Sequence, residues 1–132
     1  MTGDLTKLCL EWQERLGLSH WRIGLRLCSL EEMSLKNSQA TNDISLTTEC
    51  ALISILDSAD YPDSPFQQDT EVSLVHELLH IPLMYITNPE QGSLEHIHLE
   101  AFIERLAHLL VRQRRANNDI RGSEKTNPKR EI

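Results

Sequence analysis

The pentapeptide from His76 to His80, with sequence HELLH, restricts what this chain of 132 residues can fold into. In an α-helix, residues four apart lie on one face, one turn apart, so both imidazoles can point at the same metal ion. The flanking residues favour a helix over 70–82, because apolar residues recur at helical spacing and Asp69 or the next residue can cap its start. Pro82 should kink or end this helix within a turn, but both histidines precede it. The segment therefore predicts a helix that carries a pair of metal ligands.

Glu77 follows the first histidine, where its carboxylate can reach a water molecule bound to the same ion. This is the H-E-x-x-H arrangement of zinc peptidases, in which two histidines bind zinc and the glutamate is the general base. The simpler alternative is a surface helix with two exposed histidines and an unrelated glutamate. The helical context of the pentapeptide favours the metal-binding interpretation.

A catalytic zinc site usually has three protein ligands and leaves a fourth position to water. The last predicted helix offers His96, Glu100 and Glu104, which are four apart and form one stripe beside an apolar arc. Placing carboxylates at the edge of a buried arc costs free energy of desolvation unless their charge is neutralised, and a metal ion would neutralise it. The alternative is a solvated helix face on which Glu104 pairs with His108 or with the arginine before Leu106.

The chain as a whole predicts an α+β fold with a small twisted sheet of about three strands. Ser29 and Glu32 have the spacing of a capping box, and Gly17 can end the first helix. A short loop between the last two helices predicts that they pack as antiparallel neighbours. The predicted elements are a helix over 5–16, a strand within 20–29, a short helix over 30–35, strands over 44–48 and 51–56, the helix over 70–82 and a long helix from 94 to about 115.

We assign residues 1–115 to one compact domain and 116–132 to a basic, disordered tail. From Arg112 onward there are seven basic and three acidic residues, whereas the preceding chain has a net charge of −11. A basic tail can contact nucleic acid, but more often it is only solvated, and we do not expect a nucleic-acid partner. No apolar run approaches the about 20 residues that span a bilayer, and the first ten residues lack the apolar core of a signal peptide. With three widely spaced cysteines, these features predict a cytoplasmic protein without a membrane partner.

The combination of His76-Glu-x-x-His80 with Glu100 on the next helix resembles the gluzincins, zinc peptidases whose third ligand is a glutamate. Glu104 stands where gluzincins often carry an acidic residue that hydrogen-bonds a zinc-binding histidine. The short chain is similar to the minigluzincins and, more closely, to the short metallopeptidases predicted in phages. Leu99 stands where the gluzincin helix usually has an asparagine.

This resemblance implies a zincin-like fold and a zinc-dependent endopeptidase, in the host-cell cytoplasm if a phage encodes it. Zn²⁺ would be held by His76, His80 and Glu100 and would activate a water molecule, with Glu77 as general base. The substrate would be a peptide or protein that pairs with a strand such as 51–56.

Three other functions stay open: an SprT-like protease, a non-catalytic zinc-binding adaptor and a regulatory protease. SprT-like proteases, which act on DNA-associated proteins, have a third histidine after the motif, and His96 or His98 would then be the ligand. In a gluzincin-like site His96 could instead stabilise the oxyanion, as could Tyr85 or His98. A non-catalytic zinc-binding adaptor would not need Glu77, and a regulatory protease of the ImmA/IrrE type would share the zinc chemistry but cut a single repressor.

Overall fold

The computed structural model describes residues 2–33, 39–66 and 68–126. These residues form three α-helices and one three-stranded sheet, which confirms the predicted α+β class. No helix in this part of the chain is long and apolar enough to cross a membrane. The elements are α1 (Thr2–Arg15), β1 (Arg22–Cys28), β2 (Ala40–Ser45), β3 (Cys50–Leu56), a single 3₁₀ turn (Ser58–Asp60), α2 (Thr70–Met84) and α3 (Leu94–Thr126).

The helix ends follow local signals in the sequence. Gly17 has a φ of +73°, the left-handed conformation that ends α1. The Asp69 carboxylate accepts hydrogen bonds from the backbone of the first turn of α2, at 3.0 Å from the N–H of Glu71. Ser93 caps α3, since its hydroxyl accepts from the His96 N–H at 3.2 Å. The helix that carries the two histidines therefore begins where the sequence predicts, and it ends two residues after Pro82.

The sheet has the order β1-β3-β2, with β1 parallel and β2 antiparallel to the central β3. α2 packs against β2, β3, α1 and α3, so it is the central helix of the domain. Its buried face and the inner face of β3 form the middle of the core. The fully buried residues there are Ile53, Ile55, Leu74, Val75, Leu78 and Ile81. This packing fixes the rotation of α2 and therefore the direction in which its histidines point.

Two of the shorter predicted elements differ from those observed. β2 spans Ala40–Ser45, so residues 40–43 are strand rather than loop, and 46–49 form the turn to β3. Pairing with the apolar β3 outweighs the weak strand propensity of this polar segment. The capping-box contact forms, since the Ser29 N–H donates to Glu32 Oε1 at 2.9 Å, but residues 30–32 make only a turn. Residues 34 and 35 of that predicted helix lie outside the described residues.

The last helix is longer than predicted. α3 continues past residue 115 to Thr126, so residues 116–126 of the predicted tail are helical rather than disordered. Between Leu94 and Pro128 the sequence has no proline, and its single glycine, Gly122, costs a helix only about 1 kcal/mol. Residues 127–132 lie outside the described residues, and the division into domain and tail stays a prediction.

A buried carboxylate joins the three helices at the start of α2. Glu71 is only 7% exposed and accepts a hydrogen bond from the Trp12 indole N–H at 2.7 Å. From α3, Arg114 Nη1 lies 3.2 Å and Arg115 Nη2 3.0 Å from its two oxygens. Arg115 also binds the capping carboxylate of Asp69 at 2.8 and 3.0 Å. We call these residues the Glu71 cluster; it holds α3 against α2 and so sets the position of residues further along both helices.

Candidate metal centre

α2 and α3 run antiparallel and bring three side chains to one point. The imidazole centroids of His76 and His80 are 5.3 Å apart, one helical turn along α2. From α3, Glu100 Oε2 lies 2.8 Å from His76 Nε2, and its Oε1 lies 2.9 Å from His80 Nε2. Among the described residues, these three form the one group of histidine, cysteine and acidic side chains whose ligand atoms lie within 4.8 Å of one another.

The donor set fits zinc. Two imidazole nitrogens and one carboxylate are a ligand set of catalytic zinc sites in peptidases. Glu104 Oε1 lies 2.9 Å from His76 Nδ1, so that nitrogen donates its proton to the carboxylate and Nε2 is left for a metal. Glu104 Oε2 also lies 3.4 Å from Nε2 of His108. The structure thus brings together the three predicted ligands and the predicted supporting glutamate.

In the metal-free protein the centre is held by ion pairs. Burial disfavours the charged imidazole of His76, but hydrogen bonds to Glu100 and Glu104 outweigh burial and raise its pKa to about 9. The hydrogen bonds from His76 and His80 hold the pKa of the Glu100 carboxyl well below its usual range. Since a metal binds the neutral imidazole, metal binding at neutral pH must release the His76 proton.

We expect the stability of the metal-free protein to fall as the pH rises from about 6.5 to 9. A folded-state pKa of about 9 for His76, against an ordinary 6.5, stabilises the fold fully below pH 6.5, and this stabilisation is lost as His76 deprotonates. The lowered pKa of Glu100 stabilises the fold above its ordinary 4.5, outside this window. The loss should be on the order of 2 kcal/mol. Urea unfolding of chelator-treated protein across this range measures it.

The matched variant for this experiment is Glu104→Gln, which removes one carboxylate from His76. It should unfold with a shallower pH dependence. Equal stability of the wild type at pH 6.5 and pH 9.5 would contradict the ion-paired description of the metal-free centre.

Glu77 lies beside the ligands on the face of α2 that meets the sheet. Its side chain is 7% exposed, and Asn42 Nδ2 on β2 donates to its Oε2 at 2.5 Å. Burial raises the pKa of the Glu77 carboxyl above its usual value, although the charge of His76 and the Asn42 hydrogen bond act in the opposite direction. A carboxyl with a raised pKa next to metal ligands is suited to take and return a proton.

Two clefts meet at this centre. One has a volume of about 510 Å³ and lies between β2, the end of α2, the following loop and the start of α3. The other, of about 460 Å³, lies on the side of Ser73 and Glu104. Both are lined by Ala40, Glu77 and Glu100. A groove therefore passes the general-base candidate and the ligands on both sides.

Within the described part of the chain, β2 is an edge strand and borders this groove. The Gln39 carbonyl accepts a hydrogen bond from the Leu56 N–H at 2.8 Å, and backbone bonding alternates along an antiparallel pair. Ala40, Asn42 and Ile44 therefore direct their backbone N–H and C=O groups away from β3. Strand 51–56, the sequence-based choice for pairing with a substrate, is wrong for that role because β3 has β1 on one side and β2 on the other.

His96 lies next to the ligand group without joining it. Its Nε2 is 3.6 Å from Glu100 Oε1, and its Nδ1 accepts a hydrogen bond from the Gly92 N–H at 3.3 Å. The other two residues considered from the sequence, His98 and Tyr85, have exposed side chains. The sequence does not predict that Asn42 contacts Glu77, since a lone asparagine in a short polar segment gives no signal of this role.

Comparisons with protein-family models, characterised proteins and solved structures find no significant match. The resemblance to the gluzincins therefore stays a prediction that depends on His76, Glu77, His80 and Glu100.

Proposed function

We propose that this protein is a zinc-dependent metallopeptidase, a gluzincin-like endopeptidase with a zincin-like fold. The observation that carries the proposal is the position of Glu100, whose two oxygens lie 2.8 and 2.9 Å from the Nε2 atoms of His76 and His80. A buried carboxyl, Glu77, lies next to this group in an open groove. A structural zinc site is usually closed by four protein ligands, whereas this group has three within the described residues.

Each residue of the centre has a definite task in the proposed hydrolysis. His76, His80 and Glu100 would hold the zinc, which would supply the Lewis acidity that polarises a scissile carbonyl and lowers the pKa of water to about 7. Glu77 takes the proton of the attacking water and passes it to the nitrogen of the leaving amine. Glu104 holds the ring of His76 through Nδ1 and keeps Nε2 directed at the centre.

We propose that the substrate is an extended peptide that pairs with β2. The outward backbone groups of Ala40, Asn42 and Ile44 can form the hydrogen bonds of an added strand. The larger cleft beside them is apolar at Ile44, Leu83 and Leu99, and can receive an apolar side chain of the substrate. Hydrogen bonds to the peptide backbone give affinity that does not depend on the substrate sequence. The cleft adds a preference for an apolar side chain.

A nucleic-acid partner is not part of the proposal. Of the basic residues near the chain end, Arg114 and Arg115 are paired with acidic groups of α1 and α2. This leaves fewer free charges on α3 than the sequence suggests, so the described part of the chain offers little support for the SprT-like and DNA-adaptor alternatives. The cytoplasmic location stays a prediction from the sequence.

Metal analysis tests the proposed ligand set. We expect about one zinc per chain in the purified wild type and in His96→Ala, and none in Glu100→Ala, because Glu100 is the described carboxylate that reaches both histidines. Inductively coupled plasma mass spectrometry, with circular dichroism to check folding, gives the answer. Loss of zinc only in His96→Ala would favour the SprT-like ligand set. A wild type that takes up no zinc even after resupply would refute the metallopeptidase proposal.

A further inference from the structure

We propose that Asn42 is a positioning residue that orients the Glu77 carboxylate for proton transfer, an inference that rests on the peptidase function proposed above. Asn42 lies on β2, and its Nδ2 donates to Oε2 of Glu77 on α2. This hydrogen bond joins the edge strand of the groove to the proposed general base. The two residues are 35 positions apart in the chain, so only the packing of α2 on the sheet brings them together.

The hydrogen bond gives the two carboxylate oxygens of Glu77 different roles. Oε2 is held by Asn42, which leaves the second oxygen, Oε1, free of that contact. Glu77 lines both clefts, so the free oxygen is available to a water molecule in the groove. A carboxylate fixed through one oxygen keeps the other in a defined direction, which is what proton transfer requires.

An amide is suited to this task. The Nδ2 group of asparagine can only donate a hydrogen bond, and it does not titrate, so it holds the carboxylate without competing for the transferred proton. Asn42 also faces its backbone N–H and C=O to the free edge of β2. A peptide that pairs with the strand at Asn42 therefore lies beside the very carboxylate that the Asn42 side chain fixes.

Two small probes separate orientation of Glu77 from a general effect on the groove. N-phosphoryl-leucinamide places tetrahedral, anionic oxygens at the reaction centre, where they must meet the Glu77 carboxyl. Mercaptoacetyl-leucinamide carries the same leucine but binds through sulfur and has no such oxygens. The leucine side chain suits the apolar residues of the larger cleft. Dissociation constants of both probes are measured by calorimetry on zinc-loaded wild type and variants.

The variants are Asn42→Ala and Asn42→Asp, with Asp43→Ala as the matched control. Asn42→Asp keeps the shape of the side chain but removes the donor. Asp43 is the next residue of β2, is exposed and points to the opposite face of the sheet. Zinc content and melting temperature are recorded for each variant, because a misfolded variant would lose affinity for both probes.

We expect both Asn42 variants to bind the phosphoryl probe about tenfold more weakly than wild type and to bind the thiol probe within about twofold of it. Asp43→Ala should bind both as the wild type does. If Asn42→Ala keeps the affinity for the phosphoryl probe, or if folded Asn42 variants lose both probes equally, Asn42 does not orient Glu77, and the proposed function is untouched. A zinc-loaded wild type that binds neither probe would overturn both the peptidase function and this inference.

Discussion

Replacement of Glu77 by glutamine should lower kcat by about 10²- to 10⁴-fold and leave zinc content unchanged. The amide of glutamine has nearly the same size as the carboxylate, and its carbonyl oxygen can still accept the hydrogen bond from Asn42. It cannot take a proton from water at neutral pH. The ligand group of His76, His80 and Glu100 does not include Glu77, so the variant should still bind zinc.

Mixed peptides analysed by mass spectrometry serve as the substrate for this comparison, because the proposed backbone pairing with β2 does not require a fixed sequence. Glu95→Gln is the matched control, because it makes the same change on an exposed residue of α3 outside both clefts. It should cleave as the wild type does. A Glu77→Gln enzyme that cleaves peptides as fast as wild type would show that Glu77 is not the general base.

The same variant separates a narrow regulatory protease from a non-catalytic adaptor. A protease that recognises one protein would leave mixed peptides uncut, as an adaptor would. Glu77→Gln should then hold that protein uncleaved, whereas the wild type would release it as fragments. If wild type and variant retain the same intact protein, the adaptor alternative is favoured.

The parts of the site that sequence predicts are those fixed by local geometry. His76 and His80 share a helix face because of their spacing, and the helix start is set by Asp69 next to it. These relations need no knowledge of the tertiary fold. The end of α1 is also set locally, because Gly17, two residues after the helix, adopts a left-handed conformation.

Helical periodicity alone does not distinguish Glu100 from His96, because both lie on one stripe of α3; the preference for Glu100 came from its resemblance to the gluzincin spacing and from Glu104 beside it. Their roles depend on how α3 is rotated against α2. Three buried residues, Ile103, Ala107 and Val111, turn one face of α3 into the core and carry Glu100 and Glu104 towards His76. The role of Asn42 could not be predicted from sequence for a related reason. β2 forms through pairing with β3 rather than through its own strand propensity.

Replacement of Glu71 by alanine should lower the free energy of unfolding by about 3 kcal/mol. The change leaves the indole N–H of Trp12, which is 2% exposed, without its acceptor and removes the buried partner of two arginines. Removing one partner of a buried ion pair costs about 3–5 kcal/mol. We expect a value near 3 kcal/mol, because Arg115 still forms its ion pair with Asp69 in the variant. Since a domain is stable by about 5–15 kcal/mol, this is a large share of the total.

Urea unfolding of the metal-free protein measures the effect, with Glu14→Ala as the control on an exposed glutamate of α1. Glu71→Gln should be affected less, because its carbonyl oxygen can still accept from Trp12. Zinc affinity should fall with stability in Glu71→Ala, since the Glu71 cluster holds α3 in the position from which Glu100 reaches His76 and His80. A loss of less than about 1 kcal/mol, the size of one ordinary hydrogen bond, would mean that core packing alone positions α3 and that the cluster does not align the metal centre.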